Sequence, residues 1–268
     1  MKHLLNAAGD LGKVLRNSHL LLFIDYDGTL TPIVDSPEEA VLPPQMKKIL
    51  ECLSATNRIK IVITTGRSLK QIKAFVGLSN VVYIGSHGLE IEGPDVQYLH
   101  PGILETRSLF NYLAIKLKSV FENSPGITVE EKTFTLSVHY GHAKAEDLEK
   151  NYLRLLSVAY PYIEKSQVVL AHAKKVWELR PAVEWNKASA LLWFSGRFSA
   201  SIPYRSLTSM YIGDDAPDEV CFKIMRHGGL GVRVTEEGDE PTHAEYYLRN
   251  PDELLEFLKF LISIKKTG

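Results

Sequence analysis

Asp25 and Asp27 lie one residue apart in the stretch LLLFIDYDGTL (20–30), directly before Gly28 and Thr29. Two carboxylates this close can hold a divalent cation, and one of them can then attack phosphorus as a nucleophile. Acidic residues in the turn after a strand are also common, so the pair alone leaves both readings open. Three further groups bear on it. Thr65, Gly66 and Arg67 in TTGR offer a hydroxyl, a flexible backbone N–H and a cation at a helix start, a combination that receives phosphate or merely caps a helix. Lys187 in EWNKASAL opens a helix, although lysines favour the opposite end. Asp214, Asp215 and Asp218 in GDDAPDE follow a buried strand, and three carboxylates there repel one another unless a cation offsets them.

These groups need a scaffold that brings strand ends together. The apolar run 20–25 reads as a buried strand, 43–55 as a helix with Pro at its start, RIKIVITTGR (58–67) as a second strand, 68–78 as a helix and VVYIGSHG (81–88) as a third strand. After Pro181 the same alternation returns: helix 187–198, strand 207–215, helix APDEVCFKIMRH, strand GLGVRV and helix 253–264. Strands alternating with helices predict a parallel sheet covered on both faces, which binds ligands at the carboxyl rim of its strands.

Between these halves the pattern changes. Leu109, Leu113, Leu117 and Val120 form a helical stripe, and 133–140 alternates strictly, with Phe134, Leu136, Val138 and Tyr140 on one side and Thr133, Thr135, Ser137 and His139 on the other. That predicts a half-buried strand. With strand 126–132, helix 143–159 and strands 167–173 and 175–180, the order is αββαββ. The expected fold is therefore α/β: a parallel-sheet core from 1–102 and 181–268, with an inserted α+β domain over 103–180. On the inserted sheet, Glu130 and Lys132 share one strand face and Glu178 and Arg180 another. Two acids and two bases there suit sugar hydroxyls, or simply a solvated surface. His87 and Glu90, after the third strand, line the same cleft or brace a turn. Residues 1–19 carry a weak helical pattern that suits a capping helix or a partner contact.

The chain has 268 residues, 45% hydrophobic and 24% charged, with a formal net charge of −1. This is the globular norm, and bulk charge attracts neither nucleic acid nor an anionic membrane. Cys52 and Cys221, the two cysteines, lie in helical apolar stretches and read as core residues in a reducing compartment. No signal peptide or membrane span is legible, so a soluble cytoplasmic protein is expected.

Taken in order, DYDGT, TTGR, Lys187 and GDDAPD match the four motifs of the haloacid-dehalogenase-like phosphatases. DYDGTLTPI, SHGLE (86–90), EEK…HY (130–140), WELRP (177–181) and WNK before SAL resemble one branch of them, the trehalose-6-phosphate phosphatases. The likeness runs from about residue 20 to the C-terminus. Two positions depart from the branch pattern: Gly141 stands where Arg usually follows HY, and Ala188 where Gly usually follows the lysine.

The resemblance implies a Rossmann-like, haloacid-dehalogenase-like core and Mg²⁺-dependent phosphoryl transfer through an aspartyl-phosphate, with the insertion as a cap. Asp25 would be the nucleophile and Asp27 the general acid and base. Mg²⁺ would be held by the Asp25 carboxylate, the Asp27 carbonyl and Asp214, while Asp215 and Asp218 orient its waters or Lys187. Lys187 and Thr65, with Gly66 and Arg67, would receive the phosphate. His87, Glu130, Lys132, Glu178 and Arg180 would bind the sugar. The implied substrate is trehalose 6-phosphate, a small molecule, with a functional link to a trehalose-phosphate synthase. The alternatives are a phosphatase of sucrose-phosphate or mannosyl-phosphoglycerate type and a non-catalytic partner of such a synthase.

Overall fold

A computed structural model of the chain describes residues 1–34, 36–173, 175–200, 206–238 and 241–266. It begins with β1 (Lys2–His3), α1 (Leu4–Asn17), β2 (His19–Asp25), α2 (Pro44–Ser54), β3 (Ile59–Thr64), α3 (Leu69–Val76) and β4 (Val82–Gly85). There follow β5 (Glu90–Gly93), β6 (Val96–Leu99), α4 (Gly102–Phe121), β7 (Thr128–Glu131), β8 (Leu136–His139), α5 (Leu148–Glu164), β9 (Val168–Ala173) and β10 (Val176–Pro181). The chain closes with α6 (Lys187–Ser199), β11 (Leu207–Gly213), α7 (Glu219–Met225), β12 (Gly229–Val234), β13 (Tyr246–Leu248) and α8 (Pro251–Lys266). It divides into two compact units, Met1–Tyr98 with Trp185–Gly268, and Leu99–Glu184.

The first unit is built on a nine-stranded sheet of order β1-β13-β12-β11-β2-β3-β4-β5-β6. Pairing is parallel from β1 through to β4 and antiparallel between β4 and β5. From β2 the chain builds outward through β3 and β4, and later fills the other side with β11 and β12. The strand order therefore reverses at β2, and a ligand crevice opens at the carboxyl ends of strands flanking such a reversal. Asp25 is the last residue of β2.

Both faces of β2 are apolar because both are covered. Leu20, Leu22 and Ile24 pack in one core with Leu4 and Leu15 of α1, Met46, Leu50 and Leu53 of α2, and Phe257, Leu258 and Leu261 of α8. Leu21 and Phe23 pack in a second core with Leu191 and Phe194 of α6 and Phe222 and Met225 of α7. Each fully buried side chain of this kind contributes about 1.5–3 kcal/mol, so the strand ends are held by a rigid base.

The second unit is a four-stranded antiparallel sheet of order β7-β8-β10-β9. One side packs against α4 and α5, with Leu136, Val138, Trp177 and Leu179 meeting Phe110, Leu113, Leu117, Leu155 and Ala159.

Residues 4–17 form helix α1, whose Leu4 and Leu15 join the core. The structure departs from the sequence expectations in three places. Cys52 is exposed while Cys221 is buried. Helix α2 buries Met46, Leu50 and Leu53, and Cys52 falls off that stripe. Strand β8 is buried on both sides at Ser137, which is 1% exposed, as is Thr135 just before the strand. Ser137 lies directly between Glu130 and Glu178 of the adjacent strands, whose longer side chains flank it. Finally, β1, β5, β6 and β13 extend the sheet at its edges.

Candidate active site

Lys187 joins two of the acidic groups. Asn186 caps α6, its side-chain oxygen accepting from Ala188 N and Ser189 N, and this fixes Lys187 as the first helical residue. Its buried Nζ donates to Asp25 Oδ1 at 2.6 Å and to Asp218 Oδ1 at 2.8 Å. Burial alone would lower the ammonium; Asp218 and Asp25 more than offset this and hold it above its usual range. For Asp25, burial raises the carboxyl well above the ordinary value, Lys187 pulls it down, and Asp218 and Asp214 push it up again.

Asp218 is fully buried and its two oxygens take four donors. Oδ1 accepts from Lys187 and from Tyr211 OH (2.6 Å), and Oδ2 from the N–H groups of Asp214 (3.1 Å) and Asp215 (3.2 Å). Asp215 is exposed and caps the 3-10 turn Ala216–Asp218, its carboxylate accepting from Ala216 N at 2.7 Å. Asp214 accepts from Thr29 Oγ1 at 3.0 Å. Burial and then Asp218 push Asp214 up to about 7, against the Thr29 hydrogen bond and Lys187.

Oxygens of Asp25, Asp214 and Asp218 lie within 4.8 Å of one another, close enough to hold a metal ion. Asp218 has spent its lone pairs on four donors, which leaves Asp25 and Asp214 as carboxylate ligands. Gly28 borders the site with φ +81°, and a Cβ there would fall 2.1 Å from Asp214 Oδ2. Carboxylates forced together and raised by one another are what a divalent cation would relieve, so the donor set fits one.

The second motif turns beside this cluster. Thr65 is 1% exposed, and its Oγ1 accepts from Arg67 N at 3.1 Å, which leaves its own proton to donate. The guanidinium of Arg67 binds Asp27 and lies over the rings of Tyr26 (5.7 Å) and Phe75 (4.9 Å). The His87 ring covers Gly66, where a Cβ would come within 2.5 Å of it. Ser86 and His87 both have positive φ, 50° and 55°. Such backbone is costly for side-chain-bearing residues and clusters at functional sites. Glu90 braces this turn, accepting from Ser86 Oγ (2.7 Å) and Leu69 N (3.3 Å).

In the second unit the four charged residues share one face with His139. Arg180 Nε donates to Glu178 Oε2 at 2.8 Å, Lys132 Nζ is 3.8 Å from Glu178 Oε1 and 3.9 Å from Glu130 Oε2, and His139 Nε2 is 2.9 Å from Glu130 Oε2. The buried hydroxyls of Thr135 and Ser137, on the same strand face as His139, have no hydrogen-bond partner among the described residues.

Sequence reasoning missed Thr29 and Tyr211. A phenol in the otherwise apolar run MYIG was the available signal, because a buried Tyr needs a partner for its hydroxyl.

A family model described as trehalose-phosphatase matches residues 23–252. Trehalose-phosphate phosphatase B of Arabidopsis thaliana is 31% identical over 277 residues, covering 98% of this chain and 71% of that protein. Among solved structures, a trehalose-6-phosphate phosphatase related protein aligns with a TM-score of 0.79 at 27% identity, over 92% of this chain and 99% of that one. The C-terminal domain of trehalose-6-phosphate phosphatase from C. albicans shares the fold, with a TM-score of 0.77 at 24% identity over 96% and 97% of the two chains. With a motif set that converges on one rim of a doubly covered sheet, the chain belongs to the trehalose-phosphatase family.

Proposed function

We propose that the chain hydrolyses trehalose 6-phosphate to trehalose and inorganic phosphate, with Asp25 as nucleophile. The observation that carries this reading is the buried Lys187 ammonium bonded to both Asp25 and Asp218 beside Asp214, in a chain of this family.

Asp25 attacks phosphorus through a carboxylate oxygen as the bond to the sugar oxygen breaks, and Asp27 gives its proton to that leaving oxygen. Asp27 then takes a proton from the water that attacks the aspartyl-phosphate, which releases phosphate and restores Asp25. Lys187 and the free proton of Thr65 bind the phosphoryl oxygens, assisted by the Gly66 backbone, while the Arg67 guanidinium, expected from the sequence to receive phosphate, is engaged by Asp27 and acts through that carboxylate. A divalent cation, Mg²⁺ in this reading, supplies positive charge against the phosphoryl oxygens; the Asp25 and Asp214 carboxylates and the Asp27 carbonyl would hold it. Asp215 and Asp218 act one step out, Asp218 by holding Lys187.

Specificity is assigned to the polar face carrying Glu130, Lys132, Glu178 and Arg180. Charged groups beside orphaned buried hydroxyls are the chemistry that hydrogen-bonds a polyol. The substrate would come from a trehalose-phosphate synthase. Two free thiols support a reducing, cytoplasmic setting, and no helix among the described residues is long and apolar enough to cross a membrane. Gly141, where the branch usually has Arg, favours a second reading: the same chemistry on another sugar phosphate. Phosphate release from a panel of sugar phosphates, with Mg²⁺ and with EDTA, decides between them. The expected result is metal-dependent release from trehalose 6-phosphate and little from glucose 6-phosphate or sucrose 6-phosphate; the reverse preference would sink the substrate assignment.

A further inference from the structure

Asp218 Oδ1 is shared by two donors, Lys187 Nζ at 2.8 Å and Tyr211 OH at 2.6 Å. Tyr211 is fully buried in the middle of the central strand β11, its ring packed against Phe23 and Phe222. Its oxygen is also 3.2 Å from Thr64 Oγ1. The single phenolic proton goes to Asp218, so Thr64 is the donor in that contact. A chain of hydrogen bonds thus runs Thr64, Tyr211, Asp218, Lys187, Asp25, all buried and linking β3, β11, the turn after it, α6 and β2.

We infer that Tyr211 is a positioning residue for phosphoryl transfer, fixing Lys187 between Asp218 and the nucleophile by competing with it for Asp218 Oδ1. The inference rests on the assignment of Lys187 as the cation that meets the phosphoryl group. An oxygen that already accepts one strong hydrogen bond is a weaker acceptor for the next. With the phenol in place, Asp218 holds Lys187 without drawing it away from Asp25. Without the phenol, that oxygen has only the ammonium to accept from, and Lys187 moves toward Asp218. The loss falls on the step in which charge builds on the phosphoryl oxygens, because ground-state binding of the sugar involves other groups. Burial, with Asp218 second, pushes the Tyr211 phenol well above its usual value, so it stays a donor across the working pH range.

The test is Tyr211→Phe, which keeps the ring packing, assayed on the full chain with metal. The expected result is a kcat lowered about tenfold, an unchanged KM for trehalose 6-phosphate, and an orthovanadate inhibition constant weakened by a similar factor. In an Asp218→Asn background the same substitution should cost no further activity, since its effect passes through that carboxylate. Wild-type kcat and vanadate affinity in folded Tyr211→Phe, or an equal loss in both backgrounds, overturns the inference. If Tyr211→Phe does not fold, Thr64→Val takes its place: kcat should fall about two- to threefold at constant KM, and wild-type kinetics would overturn the inference. Lys187→Ala run alongside separates the two readings. Full turnover there removes the Lys187 assignment itself, whereas lost turnover there with wild-type Tyr211→Phe kinetics removes only the role of the phenol.

Discussion

Arg67 grips both carboxylate oxygens of Asp27, with Nε 2.9 Å from Oδ2 and 3.1 Å from Oδ1, and Nη2 2.5 Å from Oδ1. A fork of this kind sets the direction of the carboxylate as well as its charge environment. Lysine can supply the charge but not the fork. Arg67→Lys is therefore expected to lower kcat about tenfold or more, although its net charge is unchanged. Steady-state kinetics on trehalose 6-phosphate check this, and wild-type kcat in the lysine variant would show that the fork is not needed.

Asp25→Asn removes the nucleophilic oxygen while keeping the shape of the side chain. Turnover should fall by about 10³-fold or more, with the fold intact by circular dichroism. Residual turnover within tenfold of wild type would exclude Asp25 as the group that attacks phosphorus.

The metal-free site should respond to pH in a defined direction. The Asp214 carboxyl is raised from 3.8 to about 7 in the folded protein. Between those values the folded state holds a proton that the unfolded state has lost. Its contribution to stability is complete below about 4 and is lost as pH rises through about 7. In EDTA, Tm should decline across that window. A divalent cation competes with the same proton, so its affinity should strengthen as pH rises through about 7. Melting curves and calorimetric titration with Mg²⁺ from pH 5 to 8 measure both slopes, and a flat affinity would remove Asp214 from the ligand set.

Gly28→Ala is a sharper probe of the same site. The new methyl would meet Asp214 Oδ2, at a backbone angle of φ +81° that side-chain-bearing residues rarely adopt. We expect metal binding and turnover to be lost together, with thermal stability lowered by about 1 kcal/mol or more. Retained Mg²⁺ affinity in this variant would place the cation away from Asp214.

On the second unit, Glu178→Gln and Arg180→Ala break one ion pair from either side. Both should raise KM for trehalose 6-phosphate about tenfold and narrow its advantage over glucose 6-phosphate, because a site that has lost hydrogen-bonding groups discriminates less. Unchanged ratios of kcat/KM would assign specificity elsewhere.

The centre of the site was legible because its residues break local rules. A lysine at a helix N-terminus and three acids after a buried strand are each unfavourable alone, and the fold resolves both by joining Lys187 to Asp25 and Asp218. Thr29 was harder to see because its partner is distant, its hydroxyl reaching Asp214 across 185 positions, and Tyr211 because it sits inside an apolar strand run that reads as plain core although Asp218 follows only 7 positions on. The edges of the large sheet were illegible for a different reason. Strand β1 spans 2 residues and β13 spans 3, too short for a period-two pattern. Ser137 and Thr135 read as the solvated side of an alternating strand, and alternation reports the two faces of a strand without saying whether the second is covered.

The pairing of β2 with β11 also constrains how the molecule is made. His19 pairs with Leu207 and Ile24 with Ile212, so the nucleophile's strand meets this neighbour only after roughly 190 residues of chain. During synthesis Asp25 emerges well before Lys187, Asp214 and Asp218, which follow it by roughly 160–190 residues. A nascent chain therefore carries a potential nucleophile that is chemically silent until those three residues have been made. If the unit Leu99–Glu184 has folded by then, the loop still to be closed shrinks to roughly 100 flexible residues, a saving of about 0.6 kcal/mol in closure entropy. The insertion would then act in folding as a spacer that compacts itself before the halves of the large sheet meet.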